Sequence, residues 1–173
     1  MAGGASAPVS AQRTRSPLAA PGVLLGVGLG GFVDGIVLHQ VLQWHHLLSS
    51  AETSRLDIGS FPVDTVRGLE VNTLWDGLFH ALTWLAVLAG VALLYSRTRT
   101  AAGRSGGGRV LSGWVLLGWG GFNLVEGLVN HHLLAIHHVR AGPDQVLYDV
   151  GFLLLGAALV VGGWLLQRSA ARA

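Results

Sequence analysis

Four stretches of this chain are too long and too apolar to be buried together in a water-soluble domain of its size. They cover residues 22–48, 71–95, 110–138 and 145–167, and each reaches the ~20 residues a helix needs to cross a bilayer. The last contains "VGFLLLGAALVVGGWLL", a lipid-type run with no charge. Hydrophobic residues make up 51% of the 173 and charged residues only 12%, against about a quarter charged in soluble domains. In hydrocarbon the backbone must satisfy its own hydrogen bonds, which helices do within one segment. The expected fold class is therefore all-α, an integral membrane four-helix bundle over residues 21–168. Residues 1–20 read as a disordered tail and 169–173 as a second short tail. The first apolar segment is too long to be the core of a secretory signal.

Charge placement gives the orientation. All eleven basic residues are arginine. Arg13 and Arg15 precede the first segment, Arg97, Arg99, Arg104 and Arg109 flank or fill the middle loop, and Arg168 and Arg172 follow the last segment. The two opposite loops carry only Arg55, Arg67 and Arg140, together with most loop carboxylates. The positive-inside rule then predicts both termini and the middle loop in the cytoplasm, in a multi-pass protein of a bacterial plasma membrane. The arginines flank apolar runs and are not interleaved with aromatics, so nucleic acid is not an expected partner; the lipid bilayer is. With no cysteine, disulfides, thiolate metal sites and cysteine nucleophiles are all excluded.

The chain carries an internal echo. "DGIVLHQVLQWHHL" (34–47) aligns without a gap on "EGLVNHHLLAIHHV" (126–139) at an offset of 92. Asp34 pairs with Glu126, His39 with His131, His45 with His137 and His46 with His138. A weaker match joins "LWDGLF" (74–79) to "LYDVGF" (147–152). Two duplicated helical hairpins with the same orientation are expected, related by an axis along the membrane normal, with the first and third helices facing each other.

Depth gathers the polar residues into layers. At 1.5 Å per residue, continuous helices would place His45, His46, His137, His138, Asp76 and Asp149 within roughly 6 Å of the outer boundary. His39, His80, His131 and His132 would lie at about 14 Å, and Asp34 and Glu126 deepest at about 20 Å. Ionisable residues cost roughly 2.5–3.5 kcal/mol each at the centre of a membrane helix and mark function. The expectation is a transition-metal site with His39, His80, His131 and Asp76 as inner ligands. His45, His46, His137 and His138 would form an outer site, and Asp34 and Glu126 would orient the imidazoles. Asn130, His132 and Asp149 would support the ligands from behind or form a proton relay. Nitrogen and oxygen donors suit copper, iron or zinc, and a dinuclear centre has precedent in four-helix bundles. Two other readings stand beside it: one b-type haem held by paired histidines, and a proton or ion pathway through the His/Asp/Glu layers. Binding, redox turnover and hydrolysis are all compatible with such donors.

The ordered blocks "FVDGIVLHQVLQWHHLLS", "NTLWDGLFHALTW", "GWGGFNLVEGLVNHHLLAIHHVR" and "YDVGFLLLGAALVVGGWLL" resemble a bacterial family of small, His-rich, four-helix membrane proteins defined as a domain of unknown function. The resemblance covers roughly residues 20–167. It implies association with CtaG-like cytochrome c oxidase assembly factors, which tilts the metal towards copper; the expected protein partner is a second copy of the chain (a homo-oligomer) or a respiratory or copper-assembly membrane protein.

Overall fold

A computed structural model describes residues 16–56, 58–98 and 107–170. Residues 1–15 of the expected 1–20 tail, residue 57, most of the middle loop (99–106) and residues 171–173 lie outside the described residues, and Ala19 and Ala20 already belong to the first helix. The fold is all-helical. Helix α1 (Ala19–Phe32) continues into a π-helical segment, Val33–Val41. After a short 3-10 turn at Ala51–Thr53, α2 runs from Val66 to Thr98. Helix α3 (Gly107–Glu126) continues into a second π-helical segment, Gly127–Leu133, and α4 spans Gln145–Ala170.

Three spans, Ala19–Val41, Val66–Arg97 and Gln145–Ala170, are long and apolar enough to cross a membrane. Helix α3 is less apolar because it carries six glycines together with Ser112, Asn123 and Glu126. Its place in the bundle explains that composition. α3 packs against both α1 and α4, α2 packs against α1, and among the described residues α2 and α4 do not meet. The two central helices therefore face each other, as the repeat predicts.

Burial is inverted relative to a soluble protein. Asp34, His39, His45, Asn72, Asp76, Glu126, His131, His137 and Asp149 are buried, whereas leucines, valines and tryptophans of α2 and α4 point outward. Lipid solvates that apolar exterior, so helix association relies on close packing and internal polar contacts rather than on hydrophobic burial. At the α1–α3 crossing the backbones touch: a Cβ at Gly26 would meet Val115 O, Trp119 N and Gly118 Cα, and one at Gly118 would meet the backbone of Val23. These glycines are 92 apart. Gly28 against Thr83 and Val87 on α2 likewise mirrors Gly120 against Gly156 and Val160 on α4.

Both central helices end earlier than expected. Regular helix stops at Val41 and Leu133, not at 48 and 138. The chain then turns through left-handed residues, Gln43 (φ 49°) and Ala135 (φ 53°). A non-glycine residue rarely adopts this conformation, and such strain collects at functional sites. The reversal folds residues 44–48 and 136–139 back over the bundle.

Candidate metal centre

The π-helical segments determine which side chains meet. In an α-helix, residues five apart point about 140° away from each other, at 100° per residue. A π-turn bonds i to i+5 and, with more residues per turn, swings such pairs towards each other. Leu42 N donates to Val37 O at 2.8 Å, and Leu134 N to Val129 O at 2.7 Å. Asp34 and His39, five apart, consequently converge, with His39 Nε2 3.5 Å from Asp34 Oδ2. Glu126 and His131 do the same, with 3.1 Å between Glu126 Oε1 and His131 Nε2.

The chain reversals add a third group to each pair. His45 Nε2 returns to 3.8 Å from Asp34 Oδ1, and His137 Nε2 to 2.8 Å from Glu126 Oε1. Two buried trios result, Asp34/His39/His45 and Glu126/His131/His137, with the donor atoms of each within 4.8 Å of one another. A tetrahedral ion with bonds of ~2.0–2.2 Å holds its ligands roughly 3.3–3.6 Å apart, and the donors of each cluster are near enough to that spacing that each could hold one after small side-chain shifts.

Three of the four imidazoles in the trios are held from behind by an Nδ1 hydrogen bond, and His131 has a longer contact there. His45 Nδ1 donates to Val139 O at 2.8 Å, and His137 Nδ1 donates to Leu47 O at 3.0 Å, so each reversed loop is held by the other. His39 Nδ1 donates to Asp76 Oδ1 at 3.0 Å, and His131 Nδ1 lies 3.4 Å from Asp149 Oδ1. Carbonyl and carboxylate oxygens only accept, so a neutral ring that donates through Nδ1 turns the Nε2 lone pair inward. Nε2 of His39, His45 and His131, Nδ1 of His131, Asp34 Oδ1 and Glu126 Oε2 are all buried without a hydrogen-bond partner. His137 Nε2 lies 2.8 Å from Glu126 Oε1, a hydrogen bond when the ring is protonated on both nitrogens and a pair that could share a cation when it is not. The rings pack tightly, with His45 and His137 stacked at 4.8 Å and His39 against His45 at 4.4 Å.

The supporting carboxylates are fully engaged. Asp76 accepts from His39 Nδ1, His46 Nδ1 (2.6 Å), Leu47 N (2.9 Å) and Gln40 Nε2 (3.3 Å). Asp149 accepts from His138 Nδ1 (2.7 Å) and Val139 N (2.9 Å). The peptides after His46 and His138 thus link each aspartate to the trio of the other half.

This arrangement exchanges roles assigned from depth. Asp76, expected as an inner ligand, has its oxygens occupied by four donors, whereas Asp34 and Glu126 stand among the imidazoles they were expected only to orient. His45 and His137, expected in an outer layer, belong to the trios because the chain reverses at Gln43 and Ala135. His46 and His138 stay outside and hold Asp76 and Asp149. His80 packs against Gly35, apart from both trios, with a buried Nε2 lacking a partner; Leu153 packs at the equivalent place, against Gly127. His132 is exposed and joins neither trio. Asn130 donates weakly to Glu126 Oε1, at 3.5 Å. The carbonyls of Leu47 and Val139 could not be read from side-chain patterns; only their equivalence at an offset of 92 hints at them.

No curated protein and no solved structure matches the sequence. A family model described as "Predicted membrane protein (DUF2243)" matches residues 21–170, nearly the whole helical region, and the chain belongs to that family.

Proposed function

We propose that this protein is a multi-pass membrane metalloprotein that binds one transition-metal ion in each trio, forming a metal pair across the α1–α3 axis. One observation carries the reading: the Nε2 atoms of four buried imidazoles converge on two carboxylates, and three of those rings are fixed through an Nδ1 hydrogen bond. Oriented imidazoles of this kind are the usual outer support of metal-bound histidine. Two histidines and one carboxylate per ion suit non-haem iron and zinc, and the imidazole content also suits copper. Packing favours ions over haem, because the rings occupy the space between the central helices themselves. Two equivalent half-sites at an offset of 92 support an origin by duplication of one hairpin.

Elemental analysis of the detergent-purified full chain, grown with iron, zinc and copper supplied, tests the proposal. About two equivalents per chain are expected, falling to background in Asp34→Ala/Glu126→Ala. Metal-free wild-type protein would sink it, and a Soret band would replace it with haem. If the protein were metal-free, proton flux in liposomes abolished by Asp34→Asn or Glu126→Gln would favour the relay reading instead.

Removing the groups behind the imidazoles has a graded effect. Asp76→Ala or Asp149→Ala should weaken metal affinity about 10–100-fold without abolishing binding, read by competition with a chelator of known affinity. The arginine distribution supports a topology with both termini and the middle loop on the cytoplasmic side of a bacterial plasma membrane. A phosphatase fusion at Gly106 should accordingly be silent and a fluorescent-protein fusion there bright; the reverse pattern would invert the topology.

A further inference from the structure

Beside the metal centre, the two halves of the molecule differ in a way their equivalence does not explain. A cleft of about 520 Å³ opens between α1, α2 and α3, lined by Val27, Phe79, Phe122, Val125 and Val129, with Glu126 and Asn130 as its polar residues. The equivalent cleft of the other half, beside Asp34, holds only about 230 Å³, because Trp119 and Tyr148 line it and Leu38 replaces Asn130. Small-molecule sites run to ~300–1,000 Å³ and combine apolar walls with a few polar groups. Only the larger cleft falls in that range. Its Glu126 is buried, belongs to the second trio and keeps Oε2 without a partner.

We infer that this cleft binds a lipid-soluble amphiphile, a single hydrocarbon chain ending in a small uncharged hydroxyl or carbonyl head, with the head at Asn130 beside Glu126. The walls are apolar and face the bilayer, so the ligand arrives laterally from lipid. No arginine lines the cleft, and the Glu126 carboxylate repels an anionic head. The Asn130 amide both donates and accepts, which matches a hydroxyl or a carbonyl. A ligand held there touches the same carboxylate that the metal proposal assigns to an ion, and to that extent the inference rests on that reading. The cleft itself stands independently of the metal.

The test uses the full chain in detergent and a hexadecanol bearing a mid-chain diazirine. After photolysis and peptide mapping, label should concentrate on Phe79, Phe122 and Val125, and hexadecyl phosphate with the same tag should label them at least about fivefold less. Gly121 lines the cleft, and a Cβ added there would meet nothing within 4 Å; Gly151 has the same freedom in the smaller cleft. Gly121→Leu therefore fills the larger cleft without a backbone clash, and Val125→Phe is a second filling variant. Both should cut labelling at least about fivefold, while Gly151→Leu leaves it unchanged. Equal labelling of both clefts, insensitivity to Gly121→Leu and Val125→Phe, or equal labelling by the phosphate would overturn the inference. Metal content is read on the same samples: labelled but metal-free protein fails only the metal proposal, and metal-loaded protein without cleft labelling fails only this one.

Discussion

Replacing His45 and His137 together with asparagine should strip the protein of its metal. The asparagine amide nitrogen falls close to the place of Nδ1, so donation to Val139 O and Leu47 O survives and the reversed loops stay tied. What disappears is Nε2, the atom that faces Asp34 or Glu126. Loss of a partner behind a ligand already costs about 10–100-fold in affinity, and loss of one direct ligand from each trio should exceed that, leaving background metal after gel filtration. His46→Asn/His138→Asn makes the contrast. Those rings contact Asp76 and Asp149 and no trio carboxylate, so most of the metal should remain. If the two double variants lost metal equally, all four histidines would act as one outer set, as their positions near the ends of continuous helices would suggest.

That contrast marks the boundary of what a sequence of this kind reveals. The helical class, the pairing of the first and third helices and the pairing of Asp34 with Glu126 follow from apolar length and from the offset of 92. These depend on composition and register, which the backbone transmits without change. The grouping of donors did not follow, because it depends on two local departures from the α-helix. Calculated at 3.6 residues per turn, Asp34 falls on a face with His45, and His39 on another with His46; the π-segments place Asp34 and His39 together. Depth calculated at 1.5 Å per residue carries His45 and His137 to the membrane surface, whereas left-handed Gln43 and Ala135 return them inward. Neither residue is a glycine, so no turn signal announces the reversal. Asp76 is expected as an inner ligand, yet the backbone N–H of Leu47, invisible to side-chain patterns, joins three side chains in claiming its oxygens.

Gly118→Val should be among the most damaging single changes outside the trios. In hydrocarbon no hydrophobic effect drives α1 against α3, so their association depends on backbone proximity that only small residues permit. A Cβ at Gly118 would stand 2.8 Å from Val23 Cα and 2.9 Å from Val23 C. These are main-chain atoms in the middle of a helix and cannot rotate aside, so the helices must separate. Overpacking typically costs about 1–3 kcal/mol, and here the cost extends to the site: the trios hang from the same two helices, and the exchange of His45 and His137 onto each other's loops requires their spacing. Thermal denaturation in detergent should show a marked loss of stability, and metal content should fall although no ligand has changed. Gly162→Ala supplies the control. It lies on α4 with nothing within 4 Å of an added Cβ, and replacing a helical glycine by alanine favours the helix by about 1 kcal/mol. It should leave both metal and stability at or above wild type. A Gly118→Val protein with wild-type stability and full metal would mean that the α1–α3 crossing does not hold the centre together, and the paired-helix basis of the site would have to be abandoned.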